Sequence, residues 1–451
     1  MTARKRTAPL TSAKPGDDVS ILCTDETISG TLMPSEDSGI VVIKLQSGYN
    51  IGIDAKRIKK ITITQPYTSI ESKTGKDIVP IKGLPTISVL HTGGTIASKV
   101  DYRTGGVVAR FSPQELLDMF PEIGKLANLR SRFLSNMWSE DMRFAHYSIM
   151  ARAVEEEIKK GCSGVIITHG TDTIHYTAAA LSFILENLPV PVILLGAQRS
   201  SDRGSSDAAM NLICAVRFIV QTAYAGVALC MHATSEDTSC AILPATKTRK
   251  NHSSRRDAFQ PVNAMPIALV QYEKGTVQTH AGNLCSPEQH KPFLIRDKME
   301  DKVGLLKLHT NMHPDQFRIY QKLKYKGLIL EGTGLGQAPT GTPNPQAKIH
   351  AKSKQALADL IKSGCIVGMT SQTISGRVHM HVYDKAIDLV NMGIIPCEDM
   401  TPETAFIKLA WLLGNYPPKE AKQLMANNLR GEISSRSVYD HFPIQTIRPA
   451  P

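Results

Sequence analysis

Two turns each set a threonine hydroxyl just beyond a short apolar run: Thr92-Gly93-Gly94-Thr95-Ile96 and Thr168-His169-Gly170-Thr171-Asp172-Thr173. A threonine hydroxyl is almost wholly un-ionised near neutral pH, so it attacks only beside a base or in a field that favours alkoxide. Asp172 adjoins Thr171, and Lys247 follows downstream in Thr246-Lys247-Thr248. A lysine beside a carboxylate and a hydroxyl accepts the hydroxyl proton if its ammonium form is destabilised, while the carboxylate fixes its position. The turn glycines leave backbone N–H groups at helix starts open to a tetrahedral oxyanion, each such donor worth roughly 2.7–4 kcal/mol. The chemistry these residues suit is hydroxyl-based acyl transfer, and a neutral carboxamide is the reluctant acyl donor that needs this much assistance. Each residue also has an ordinary role. Thr95 and Thr171 fit helix N-caps, Asp172 a first-turn helix acid, and Lys247 the start of a solvated basic stretch. Two such turns in one chain favour catalysis over capping. His169 and His175 flank the second turn as packed imidazoles rather than bases.

Positioning these groups requires strands that end at one sheet edge. Apolar runs at Thr86–Leu90, Gly164–Thr168 and Val190–Leu195 alternate with helical patterns at His146–Lys160 and Thr173–Leu188. Strand–helix alternation of this kind predicts a doubly wound parallel sheet, whose sites lie at the carboxyl ends of the strands. Ser112–Phe120 also reads as a helix behind a Ser-Pro start. A second α/β unit is expected over 303–435, from strands at Gly327–Leu330 and Gly364–Met369 and helices at Pro402–Leu413 and Pro418–Leu429. Between Gly16 and Ile63, five short runs separated by polar turns predict a small SH3- or Sm-like β-barrel, suited to RNA, to protein, or to packing on its neighbour. The expected organisation is a disordered tail (1–14), the barrel (15–71), a connector (72–83), a large α/β domain with the threonines (84–275), a linker (276–302), a smaller α/β domain (303–435) and a tail (436–451).

The chain has 451 residues, 42% hydrophobic and 21% charged, with a net charge of +11. No apolar run is long enough to cross a bilayer, so no membrane association is expected. The basic opening Met-Thr-Ala-Arg-Lys-Arg has no apolar stretch behind it and does not read as a signal peptide. None of the eight cysteines forms a Cys-x-x-Cys pair, which predicts reduced thiols in a cytoplasmic protein. The positive balance suits an RNA-containing partner as well as simple solvation. His379-Met380-His381 lacks further ligands, and no metal site is expected.

Over residues 84–435 the chain resembles the bacterial-type L-asparaginase/glutaminase family. The motifs are Thr-Gly-Gly-Thr95-Ile, Ser139-Glu140-Asp141-Met142, His-Gly-Thr171-Asp172-Thr, Thr-Lys247-Thr, Asp399-Met400-Thr401-Pro402-Glu403 and Asn428-Leu429-Arg430-Gly431-Glu432, in family order. The family lacks the stretch before residue 84. That extension, with Gln198-Arg199-Ser200-Ser201-Asp202-Arg203, is similar to the D-subunit family of archaeal Glu-tRNA(Gln) amidotransferases. The resemblance implies an asparaginase-like pair of α/β domains that releases ammonia from glutamine or asparagine. It implies Thr95, Thr171, Asp172 and Lys247 as catalytic residues, with the order of attack between the threonines open. Ser139 and Glu140 would hold the donor's α-carboxylate and α-amino group, Glu140 standing where many secreted members carry Gln. It also implies a homodimeric core, an E-subunit partner (heterodimer, α2β2), Glu-tRNA(Gln) as acceptor, and ATP and Mg²⁺ used by the partner with no cofactor in this chain. The alternative is a free-standing cytoplasmic L-asparaginase/glutaminase. Two departures stand out: Val107 lies near the place of the family's lid Tyr, and Gln337-Ala338-Pro339 replaces an Asn-rich turn.

Overall fold

The computed structural model describes residues 12–67 (apart from 36, 38 and 48), 80–94, 98–100, 107–109, 117, 120–200, 204–280 and 291–439. Thr95 and most of the helix expected at 112–120 lie outside the described residues.

The first unit is a five-stranded antiparallel sheet, of the kind expected for the small barrel. Its strands are β1 (Asp18–Cys23), β2 (Thr27–Met33), β3 (Ile40–Lys44), β4 (Asn50–Asp54) and β5 (Ile58–Gln65), in the order β4-β3-β2-β1-β5. Alternation along β1 turns Val19, Ile21 and Cys23 inward against Leu32, Ile43, Ile53 and Ile58, giving this unit a core of its own.

The large domain begins with β6 (Thr86–His91), an antiparallel pair β7 (Ser98–Val100) and β8 (Val107–Ala109), β9 (Asn128–Phe133), α1 (Phe144–Lys159), β10 (Gly164–Thr168) and α2 (Ile174–Ile184). It continues through β11 (Leu185–Glu186), β12 (Val192–Leu195), α3 (Ala208–Gln221), β13 (Val227–His232), β14 (Ser239–Pro244), β15 (Thr248–Lys250), β16 (Phe259–Pro261), β17 (Ala268–Gln271), β18 (Val277–Thr279) and β19 (Leu294–Ile295). The main sheet has the order β18-β17-β14-β13-β12-β10-β6-β9. From β9 to β13 the pairing is parallel; from β13 to β18 it is antiparallel. In β10, Val165 and Ile167 join the core on one face while Ile166 joins that on the other. Both faces are covered, which is why the strand reads as an unbroken apolar run. The 276–302 stretch, expected as a linker, carries β18 at the sheet edge and β19 paired with β11.

The smaller domain holds a parallel sheet of β20 (Val303–Lys307), β21 (Gly327–Gly332), β22 (Ile366–Ser371) and β23 (Ile395–Pro396). Around it lie α4 (Asp315–Lys322), α5 (Ile349–Lys362), α6 (Asp384–Met392), α7 (Pro402–Asn415) and α8 (Pro418–Met425). Helix α7 joins the two α/β units. Its Trp411 stacks on Phe183 of α2 with ring centroids 5.5 Å apart and donates from Nε1 to the Arg296 carbonyl at 2.8 Å. One apolar core therefore runs through both domains. Among the described residues no helix is long and apolar enough to cross a membrane, no group of three or more metal-ligating side chains occurs, and seven cysteines are free and buried.

Candidate active site

Strands β6 and β10 are parallel neighbours with His91 opposite Thr168, so both threonine turns leave the same sheet edge. Thr92 ties them together, donating from its backbone N–H and its hydroxyl to the Thr168 carbonyl at 3.2 and 2.8 Å. Gly94 has φ +82°, and a Cβ there would stand 2.7 Å from the Gly170 nitrogen. Only glycine lets the first turn lie this close to the second. Gly170 in turn abuts Ser139, where an added Cβ would meet the Ser139 Cβ at 2.8 Å. The Thr173 hydroxyl donates to the Ser139 carbonyl at 2.6 Å, fixing the short 3-10 turn Ser139–Asp141 against the site. Ser139 is thus buried against the second turn, and Glu140, next to it in the chain, is exposed.

Thr171 does not cap a helix; α2 begins after Thr173, which makes no side-chain cap. Its hydroxyl instead accepts from Lys250 Nζ at 3.0 Å and donates to Gln198 Oε1 at 3.4 Å. The same ammonium meets Asp172 Oδ1 at 2.7 Å and lies 5.9 Å from the centre of the Phe259 ring. Lys250 is 10% exposed and Asp172 66% exposed, so the amine is largely buried while its carboxylate partner faces solvent. One amine thus bridges the acid and the hydroxyl, the kind of contact that hydroxyl activation uses.

Lys247, the lysine expected here, is elsewhere. Its Nζ meets Asp399 Oδ2 at 2.6 Å and the Asp399 carbonyl at 3.2 Å, with both side chains 2% exposed. Burial lowers the Lys247 pKa, and the Asp399 carboxylate opposes that shift. The physical reason lies in local structure. Thr246 and Lys247 occupy the tight turn after β14, whereas Lys250 ends a strand. By sequence alone the basic run Arg249-Lys250 is only the solvated continuation of that stretch. The period of two in β15 is the signal that a lysine three residues on faces the other way.

A third turn completes the floor. Gln198 and Arg199 donate backbone N–H groups to the buried Asp207 carboxylate, each at 3.0 Å, and Asn211 Nδ2 donates to the Gly196 carbonyl at 2.9 Å. Sequence reasoning singles out the Gln198 loop but misses Asp207, whose role is to fold that loop toward Thr171. His169 is buried with Nδ1 2.7 Å from the Gly170 carbonyl and Nε2 2.9 Å from the Thr177 hydroxyl; burial lowers its pKa to about 4. Burial, aided by Arg249 and Lys250, also brings His175 to about 4. Both imidazoles are neutral at pH 7 and serve packing.

The chain matches three family models: an asparaginase N-terminal domain over 86–283, a glutaminase/asparaginase C-terminal domain over 302–425, and a GatD N-terminal domain over 13–64. It is 43% identical over 423 residues to the D subunit of Glutamyl-tRNA(Gln) amidotransferase from Methanococcus maripaludis, covering 93% of this chain and 98% of the relative. It is 43% identical over 410 residues to the protein of the same name from Pyrococcus furiosus, covering 90% of each. Among solved structures, the thermostable L-asparaginase from Thermococcus kodakarensis superposes with a TM-score of 0.68 at 28% identity, covering 78% of this chain and 100% of that one. L-asparaginase I from Vibrio cholerae superposes with a TM-score of 0.66 at 27% identity, covering 78% and 99%.

Proposed function

Because the chain belongs to the family of glutamyl-tRNA(Gln) amidotransferase D subunits, we propose that its asparaginase-like core releases the amide nitrogen at the Thr171–Asp172–Lys250 cluster. The chain is the amidase-type component of a tRNA-dependent amidotransferase. The observation that carries the site is the Lys250 ammonium, which touches both Thr171 and Asp172 where Gly94 meets Gly170.

In this reading a hydroxyl oxygen, assigned to Thr95 by its motif, adds to the carboxamide carbon of glutamine or asparagine. The hydroxyl proton passes by way of Thr171 and Lys250 to the departing nitrogen, which leaves as ammonia, and an acyl ester remains. Water adds to the ester along the same relay, restoring the hydroxyl and freeing the acid. Asp172 orients the amine, backbone N–H groups of the facing turns receive the oxyanion, and Ser139 with Glu140 holds the donor's α-carboxylate and α-ammonium. Lys247 keeps a supporting role through Asp399. The ammonia passes to a partner E subunit, which uses ATP and Mg²⁺ to amidate Glu-tRNA(Gln). The asparaginase-like core pairs with itself, for an α2β2 assembly in the cytoplasm.

Steady-state ammonia release from glutamine and asparagine, with and without the E subunit and Glu-tRNA(Gln), tests this reading. Thr171→Val is expected to abolish release while the chain stays folded. Mapping the trapped ester by mass spectrometry tells Thr95 from Thr171. Strong release by the isolated chain, unchanged by partner and tRNA, would instead fit a free-standing asparaginase.

A further inference from the structure

The Asp399-Met400-Thr401-Pro402-Glu403 segment of the smaller domain touches none of the reacting groups described above, yet with Thr404 it is bonded to three of the four residues that precede Lys250. The Thr404 hydroxyl donates to the Thr246 carbonyl at 2.9 Å. Asp399 takes the Lys247 ammonium at 2.6 Å, and Glu403 Oε1 takes Arg249 Nε at 3.1 Å. Side chains alternate along a strand, so within β15 Arg249 faces the smaller domain, as Lys247 does from the turn before it, while Lys250 faces Thr171 and Asp172 from the other side. Strand β15 is only three residues long and, among the described residues, its strand partner is β16, itself three residues long. Within the large domain the Thr248 hydroxyl donates to the Pro244 carbonyl at 2.7 Å, so the roll of this short ribbon is shared between that bond and the grip of the smaller domain.

The acidic segment, by contrast, is firmly held. Thr401 caps α7 by accepting from the Thr404 N–H at 3.3 Å, and Glu403 lies in the first turn of that helix. Asp399 Oδ1 accepts from the Ser434 N–H at 2.9 Å, and its carbonyl accepts from Asn263 Nδ2 at 3.3 Å. The Thr246 hydroxyl donates to the Arg430 carbonyl at 3.1 Å, which adds the C-terminal segment to the same grip.

We propose that Asp399 and Glu403 are positioning residues for the amidase reaction: by gripping Lys247 and Arg249 they set the roll of β15 and so aim Lys250 at Thr171 and Asp172. This rests on the reading that Lys250 serves the reaction. A misaimed amine loses reaction geometry without losing substrate contacts, because Ser139 and Glu140 lie on a different loop. The defect therefore falls on kcat and leaves KM in place.

The test uses the full-length chain with its partner subunit, and reads ammonia release from glutamine together with thermal unfolding. Glu403→Gln keeps size and hydrogen bonding but removes the charge; it is expected to lower kcat about tenfold, or about 1.4 kcal/mol, with KM moved less than about twofold. The paired change Lys247→Leu with Asp399→Leu replaces the buried ion pair by apolar packing, an exchange that is often neutral for stability. With the Ser434 N–H losing its acceptor, it is expected to unfold within about 4 °C of the parent and still lose at least about tenfold in kcat. A purely structural role predicts that kcat recovers along with stability in that double variant. Parental kcat in both Glu403→Gln and the double variant, while Lys250→Met is inactive, would overturn the positioning role and leave the catalytic reading standing. Should the double variant not fold, Glu403→Gln alone decides. Full activity of Lys250→Met would instead remove the reading on which the proposal rests.

Discussion

Lys250→Met and Lys247→Met are expected to part company, one losing turnover with little change in stability and the other losing stability above all. Lys250 pairs with an Asp172 that is 66% exposed, and exposed ion pairs are worth roughly 0–1 kcal/mol. Its removal is expected to shift the unfolding midpoint by at most about 4 °C. The same ammonium contacts Thr171 at 3.0 Å, so its loss removes the proton carrier, an effect of about 10²–10⁴ in kcat. Lys247 is the reverse case. With both partners 2% exposed, Lys247→Met strands the Asp399 carboxylate in the interior, which costs about 3–5 kcal/mol. For a domain of this size that lowers the midpoint by on the order of 10 °C. The activity remaining in the folded fraction reports only on the aim of Lys250. Paired measurements of ammonia release and calorimetric unfolding on the two variants decide the matter. An active Lys250→Met, or a Lys247→Met that unfolds at the parental temperature, would refute the assignment of roles.

Three other outcomes follow from particular contacts. Burial lowers His91, His169 and His175 from 6.5 to about 4. The native state thus refuses protons that the unfolded chain accepts, and stability is full above pH 6.5 and falls toward pH 4. At pH 5 the loss is about 2 kcal/mol per histidine; urea midpoints at pH 7.5 and 5.0 should show it, with a smaller drop in His91→Gln. Gly94→Ala places a methyl 2.7 Å from the Gly170 nitrogen at a left-handed φ, so it should lower kcat at least about tenfold, since misplacing a turn by about 1 Å can cost 10²; a near-parental rate would show that the turns need not touch. Phe183→Ala removes the ring stacked on Trp411 between the domains and should cost about 3–5 kcal/mol in denaturant unfolding.

The strands and helices that carry the threonine turns are legible because their signals are local. Gly164–Thr168 is apolar at nearly every position, and the structure buries it on both faces. The antiparallel half of the main sheet is not anticipated, although the sequence holds its cause. Only six residues separate β13 from β14, and a parallel crossover needs about a dozen. Residues 233–238 can therefore only turn the chain back beside itself. The lysine is misjudged for a related reason. Thr-Lys-Thr and Arg-Lys are adjacent in sequence and similar in chemistry, and only the passage from turn to strand decides which amine faces the site. That decision is completed by Asp399 and Glu403, about 150 residues away, which no local pattern links to Lys247 or Arg249. In the proposed reaction the large domain supplies the hydroxyl and the acid, and the smaller domain determines where the amine points. On this account the second α/β unit is part of the reaction geometry, and a large domain expressed alone should keep its sheet and lose its turnover.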